Sequence, residues 1–290
     1  MAPGPPEEPG KPSRCHDRGG QTRRVPDADA FRALARSSPW RWSTLRFTER
    51  RRHARTWSEP RHAWLRRPDL LRVEDPPGRL LDVVRGTPTV SAALGSGPWD
   101  PSPPVADPVF RADGLVAVRP DGAHPEDPMW QDYRWVAELD PAELADGRDP
   151  GPGSPLEVDG LREVEHAGRP AWEALVRPTA DYEPRCGCCP LLHSRAADLA
   201  EWGPEWLPEV EYPSAELVRL DVGTGVCVWT EALDGTWAGD GHDLHIEAVD
   251  EPMADDLFPR LRHEPIPADG PRSPEEYLER WRRKRQRRRR

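Results

Sequence analysis

The densest group of reactive side chains in the sequence is Cys186-Gly187-Cys188-Cys189, with His193 four residues on and Cys227 well apart. Thiolate and imidazole are good zinc ligands, and Cys186-x-x-Cys189 has the usual spacing of a zinc knuckle. A second Cys-x-x-Cys is missing, so the candidate zinc ligands are Cys186, Cys188, Cys189 and His193. The alternatives are a disulfide, or a plain loop anchored by small buried residues. His242-x-x-His245, beside Asp240 and Asp243, is the other ligand-like group, but positions three apart on a strand face opposite sides of a sheet. The sequence contains no Gly-x-Ser-x-Gly elbow, phosphate-binding Gly loop or His-Glu-x-x-His. The expectation is therefore a protein without a catalytic constellation.

The elements that must position these residues begin with Asp27 as N-cap of a helix over Ala28 to Arg36. A long strand is expected within Trp40 to Arg50, then strands at Arg61 to Arg66, Leu70 to Glu74 and Arg79 to Arg85, linked by turn residues into an antiparallel meander. Leu115 to Val118 reads as a short strand. Asp127-Pro128 opens a helix carrying Met129, Trp130, Tyr133, Val136 and Ala137, and Asp140-Pro141 opens a second short one. Helices inserted among strands must cover an apolar sheet face. Strands return at Leu156 to Glu165, Pro170 to Arg177, Ala215 to Asp221, Val226 to Leu233 and Asp243 to Val249. Between them the segment 178–214 holds three of the five cysteines and six prolines. With little regular hydrogen bonding expected there, a metal or covalent crosslink would offset much of its ordering entropy. Trp40, Trp42, Trp57 and Trp64 alternate with arginines. They suggest either a stacking platform for nucleic acid or, as the commoner use of strand aromatics, core.

The 290 residues carry 41 basic and 51 acidic side chains, a net charge of −10, which excludes a simple basic nucleic-acid binder. The charge is uneven: residues 40–72 and 280–290 are strongly basic and the stretch between them is acidic. Arginine outnumbers lysine 39 to two, and asparagine is absent, a bias that weakens the meaning of any single arginine. Residues 1–26 read as a disordered tail without an apolar signal region, and no stretch approaches a membrane span, so a cytoplasmic protein is expected. Residues 263–290 read as a linker, a short helix capped at Ser273 and an Arg-rich tail. Through that tail alone nucleic acid or an anionic membrane would be a partner.

Trp64-Leu65-Arg66-Arg67-Pro68-Asp69-Leu70-Leu71-Arg72-Val73-Glu74, followed by Leu80 to Gly86, resembles the LolA/RseB-like lipoprotein-carrier superfamily in its strand, Arg-Pro turn and Arg-x-Glu strand. Gly168-Arg169-Pro170-Ala171-Trp172, Asp221-Val222-Gly223-Thr224-Gly225 and Val249 to Phe258 continue that order. The resemblance spans residues 27–262. It implies an α+β domain, an incomplete antiparallel β-barrel with an inserted helical lid, into which 178–214 is a Cys-containing insertion. It further implies a non-enzymatic binding role, with a lipid, another hydrophobic ligand or a partner's apolar segment held in the barrel. A zinc- or thiol-dependent regulatory role is the alternative that the cysteines raise.

Overall fold

The computed structural model describes residues 26–86, 107–120, 127–146, 153–207 and 209–260. The expected N-terminal tail up to residue 25, the Ser273-capped helix and the Arg-rich tail lie outside the described residues. Helix α1 (Ala28–Ser37) is capped as its sequence expects: the Asp27 side chain accepts the Ala30 N–H at 2.8 Å. Five strands follow: β1 (Thr44–His53), β2 (Thr56–Trp57), β3 (Arg61–Arg66), β4 (Leu70–Glu74) and β5 (Leu80–Arg85). A short ribbon, β6 (Val109–Phe110) with β7 (Val116–Val118), precedes helix α2 (Arg134–Leu139) and a 3-10 turn at Ala142–Leu144. The long hairpin β8 (Leu156–His166) and β9 (Arg169–Pro178) comes next, then α3 (Arg195–Trp202) and strands β10 (Glu216–Asp221), β11 (Cys227–Ala232) and β12 (Gly241–Val249).

The main sheet is antiparallel and unclosed, in the order β5-β4-β3-β1-β12-β11-β10-β9-β8, with β2 beside β1. Alternation along the strands separates two faces. One face is apolar and carries two packed clusters. Phe31 and Leu34 of α1 meet Ala174, Val176, Val218 and Leu220, while Trp135 and Leu139 of α2 meet Leu45, Phe47, Leu65, Val73, Leu244 and Ile246. The helices cover the sheet as the apolar stripe on each requires. On the other face, Met253, Leu257 and Phe258 pack against Trp64, Leu70, Leu80 and Val83, so the segment after β12 covers β3 to β5. Arg66 donates to the Met253 carbonyl and Arg72 to the Leu257 carbonyl at 2.6 and 2.7 Å.

The β10–β11 turn shows why its sequence is Asp-Val-Gly-Thr-Gly. Asp221 Oδ1 accepts from both the N–H and the hydroxyl of Thr224 at 2.8 Å, and Arg169 pairs with the same carboxylate at 2.7 and 3.0 Å. Gly225 has φ +78°, and a Cβ there would lie 2.6 Å from the Leu34 carbonyl oxygen, so the turn can meet α1 only with glycine.

Two expectations need correcting. The helix expected from Asp127-Pro128 begins only at Arg134, because Asp127 is held by Arg67 and Gln131 takes φ +66°. The apolar spacing there reflects packing instead: Trp130 lies 4.9 Å from Trp135, ring to ring. Of the tryptophans expected in the core, Trp42 is buried, but Trp57 and Trp64 are half-buried on the far face beneath Arg50 and Arg72. Several guanidiniums on that face meet carboxylates: Arg50 with Asp243, Arg72 with Glu74 and Arg219 with Glu173.

Candidate functional site

The thiols of Cys186, Cys188 and Cys189 gather between β9 and α3, their sulfurs all within 4.8 Å of one another. Cys186 and Cys188 sulfurs are 2.7 Å apart, and those of Cys188 and Cys189 3.5 Å apart. The chain turns tightly here, with the Cys189 N–H on the Cys186 carbonyl at 3.1 Å. Hydrogen bonds from the Cys188 and Cys189 thiols, and then from their main-chain N–H groups, lower the Cys186 pKa to about 3. Cys188 is correspondingly raised to about 12 by its bond to Cys186, and Cys189 is raised for the same reason. The three thiols therefore titrate together and not independently. His193 does not belong to this group. Its ring stacks on Trp237 at 4.7 Å, and its Nδ1 lies 3.4 Å from Glu216 Oε2. Cys227 is likewise apart, buried in β11, where burial pushes its thiol pKa up.

The segment carrying the cysteines has anchors besides the thiols. Glu143, buried in the 3-10 turn, accepts from the Tyr182 hydroxyl at 2.5 Å, Arg185 N–H at 3.1 Å and Leu191 N–H at 2.8 Å. The Tyr182 oxygen in turn accepts from Leu192 N–H, and Glu216 accepts from His193 N–H at 2.6 Å. Two buried carboxylates therefore collect the main-chain donors that the prolines leave outside regular structure. In the sequence, Glu143 and Glu216 look like ordinary members of a helix and a strand, and nothing local marks them as hubs.

A second group lies under α2. Arg51 reaches Glu49 at 2.8 Å, Glu138 at 3.2 Å and Asp132 at 3.7 Å, with Glu49 and Glu138 both buried. Burial raises the Glu138 pKa to about 7 despite Arg51, and it raises Glu49 as well. Beside them His242 donates or accepts at Thr230 Oγ1 and meets the Cys227 carbonyl, both at 2.9 Å, and burial lowers its pKa to about 4. Between those two values the acid and the imidazole are both neutral, and Glu138 Oε2 is a buried oxygen without a hydrogen bond among the described residues.

The third group sits where the sheet parts. β11 and β12 pair only from Trp229 to Glu231 against Gly241 to Asp243. Beyond that point His242 meets the Cys227 carbonyl from the apolar face, and His166 Nε2 meets the Leu244 carbonyl at 3.1 Å. His166, Asp243 and His245 have ligand atoms within 4.8 Å of one another. His245 Nε2 is 2.9 Å from Asp243, but Arg50 also pairs with that carboxylate, and Arg219 reaches His166 Nδ1 at 3.4 Å. Burial works against the Asp243 charge, yet His166 and Arg50 outweigh it and hold its pKa below the usual range. Two guanidiniums against the cluster oppose a cation there. The opposite facing of His242 and His245 was legible from their spacing; the approach of His166 was not, since it comes from the far edge strand.

No protein-family profile matches this chain, and no curated protein matches it. Among solved structures it is similar to the crystal structure of MucB, at 14% identity and a TM-score of 0.32, over 79% of this chain and 61% of that one. It is also similar to a chain of the Pseudomonas aeruginosa MucA/MucB complex, at 18% identity and a TM-score of 0.36, over 80% and 60%. The chain spans about three-fifths of the length of these structures. Among the described residues no helix is long and apolar enough to cross a membrane.

Proposed function

We propose that the protein is a non-enzymatic binding module, a LolA-like half-barrel domain that takes an extended apolar segment of a partner polypeptide. The observation that carries this reading is the β6–β7 ribbon. Val109, Phe110 and Val118 are exposed by 59, 55 and 58%, and they are three of the five exposed large apolar side chains among the described residues. The ribbon is nonetheless firmly mounted: Leu115 and Val116 are buried, and Val116 N–H donates to Ser37 Oγ of α1 at 2.8 Å. A rigid apolar projection of this kind marks an interaction surface. A polypeptide is favoured over an acyl chain because β6 has β7 as its neighbour on one side only among the described residues, and its other edge offers main-chain groups to an added strand.

Native mass spectrometry of the full chain purified from its own host tests this. A polypeptide adduct is expected, and it is lost in the doubly substituted Phe110→Asp, Val118→Asp protein. An acyl-lipid adduct instead, an adduct that persists in the variant, or no adduct at all overturns the reading.

A further inference from the structure

We propose that Cys186, Cys188 and Cys189 form a three-thiolate site for a divalent d10 metal ion of the zinc class, with the Glu201 carboxylate supplying the fourth position. Four features of the loop converge on this. The three sulfurs already share one small volume. The Cys189 N–H donates to the Cys186 carbonyl at 3.1 Å, so the three cysteines are held in one tight turn before any ion arrives. Cys189 is buried, whereas Cys186 and Cys188 are partly exposed, giving the site a closed floor and an open entrance. Finally, Glu201 of α3 lies across the turn: a Cβ on Gly187 would stand 2.5 Å from its Oε2 and 2.8 Å from its Cβ. Glycine at 187 is what lets that carboxylate come so close, and Cys188 feels its charge.

The donor set decides the ion. Three thiolates select soft or borderline ions, and a carboxylate beside them favours a divalent ion over a monovalent one. Zinc–sulfur bonds of about 2.3 Å in a tetrahedron put the sulfurs about 3.8 Å apart. The Cys188–Cys189 separation of 3.5 Å nearly meets that, and Cys186 and Cys188 must spread by about 1 Å, a side-chain rotation on either side of a glycine. His193 stays on Trp237 and Glu216 and takes no part.

The test is titration of the reduced full chain with cadmium and with cobalt, each as the metal alone. One cadmium per chain is expected, with a thiolate charge-transfer band that weakens by about a third in each of Cys186→Ser, Cys188→Ser and Cys189→Ser. Glu201→Gln should weaken binding by about tenfold or more, while His193→Gln and Cys227→Ser should leave band and affinity unchanged. Thiol labelling provides a measure independent of the serine variants: saturating cadmium should protect three thiols of the unsubstituted chain. No band, no protection, a band undiminished in Cys186→Ser, an affinity unchanged in Glu201→Gln or a band lost in His193→Gln overturns the proposal.

Discussion

Replacing Arg51 by methionine is expected to cost about 3–5 kcal/mol, enough to unfold much of a domain of ordinary stability at neutral pH. The guanidinium is the cation that faces Glu49 and Glu138, both buried. Removing it takes the nearest cation from two buried acids, each of which must then stay charged in a low dielectric or take up a proton. Chemical denaturation reads the loss. Combining Arg51→Met with Glu49→Leu and Glu138→Met should recover most of it, because the charges then vanish together; a triple variant no better than the single one would show that packing, not charge, is at stake.

The pH dependence follows from the same cluster. Glu138 titrates at about 7 in the folded protein against 4.5 when free, so its stabilising effect is complete below 4.5 and is lost as pH rises through 7, about 3 kcal/mol in all. His242 has the opposite sign: at about 4 against 6.5, its effect is complete above 6.5 and is lost as pH falls through 4. The two nearly cancel between 4.5 and 6.5. Glu138→Gln should therefore shift the balance toward the histidine, with Glu49 still opposing it, and its stability should change with pH from 4 to 6.5 more positively than that of the unsubstituted chain; an unchanged or more negative slope over that range would contradict the assignment.

Arg67→Ala is expected to cost a similar amount, about 3–5 kcal/mol. This side chain pairs with buried Asp127 at 2.7 and 2.8 Å, donates to the Ser38 and Trp42 carbonyls at 3.0 and 3.2 Å, and stacks 3.3 Å over the Trp42 ring. It thereby ties the end of α1, the entry to β1 and the approach to α2 to a single planar group. Lysine cannot reproduce a two-pronged contact that also stacks, so Arg67→Lys should recover less than half of the loss. A denaturation midpoint for Arg67→Ala corresponding to less than about 1 kcal/mol would refute this clasp.

Arg67 also shows where sequence reading runs out. The residues of β3 and β4 are legible because apolar alternation and the Arg-Pro-Asp turn are local, and the structure places those strands where the pattern does. The helix cap at Asp27 is legible for the same reason. Arg67 looked like turn chemistry in a chain where arginine is too common to mean much, and its partner Asp127 lies 60 residues away. The cysteines were visible as a group because they are adjacent. That His193 belongs to Glu216 and Trp237 instead, and that Glu143 orders their loop, depends on contacts between distant segments that no spacing encodes.

The place of β1 in the sheet has a consequence during synthesis. Its neighbours are β3, made almost at once, and β12, whose Val249 pairs with Leu45 across about 200 residues. At 5–20 residues per second, β1 waits about 10–40 s on the ribosome with one edge unpaired. An edge left open that long invites pairing with another nascent chain. β1 meets the wait with Arg46, Arg50, Arg51 and Arg52 along its length, a run of like charge that repels a second copy of itself until the last strand emerges to neutralise it with Asp243 and Glu247.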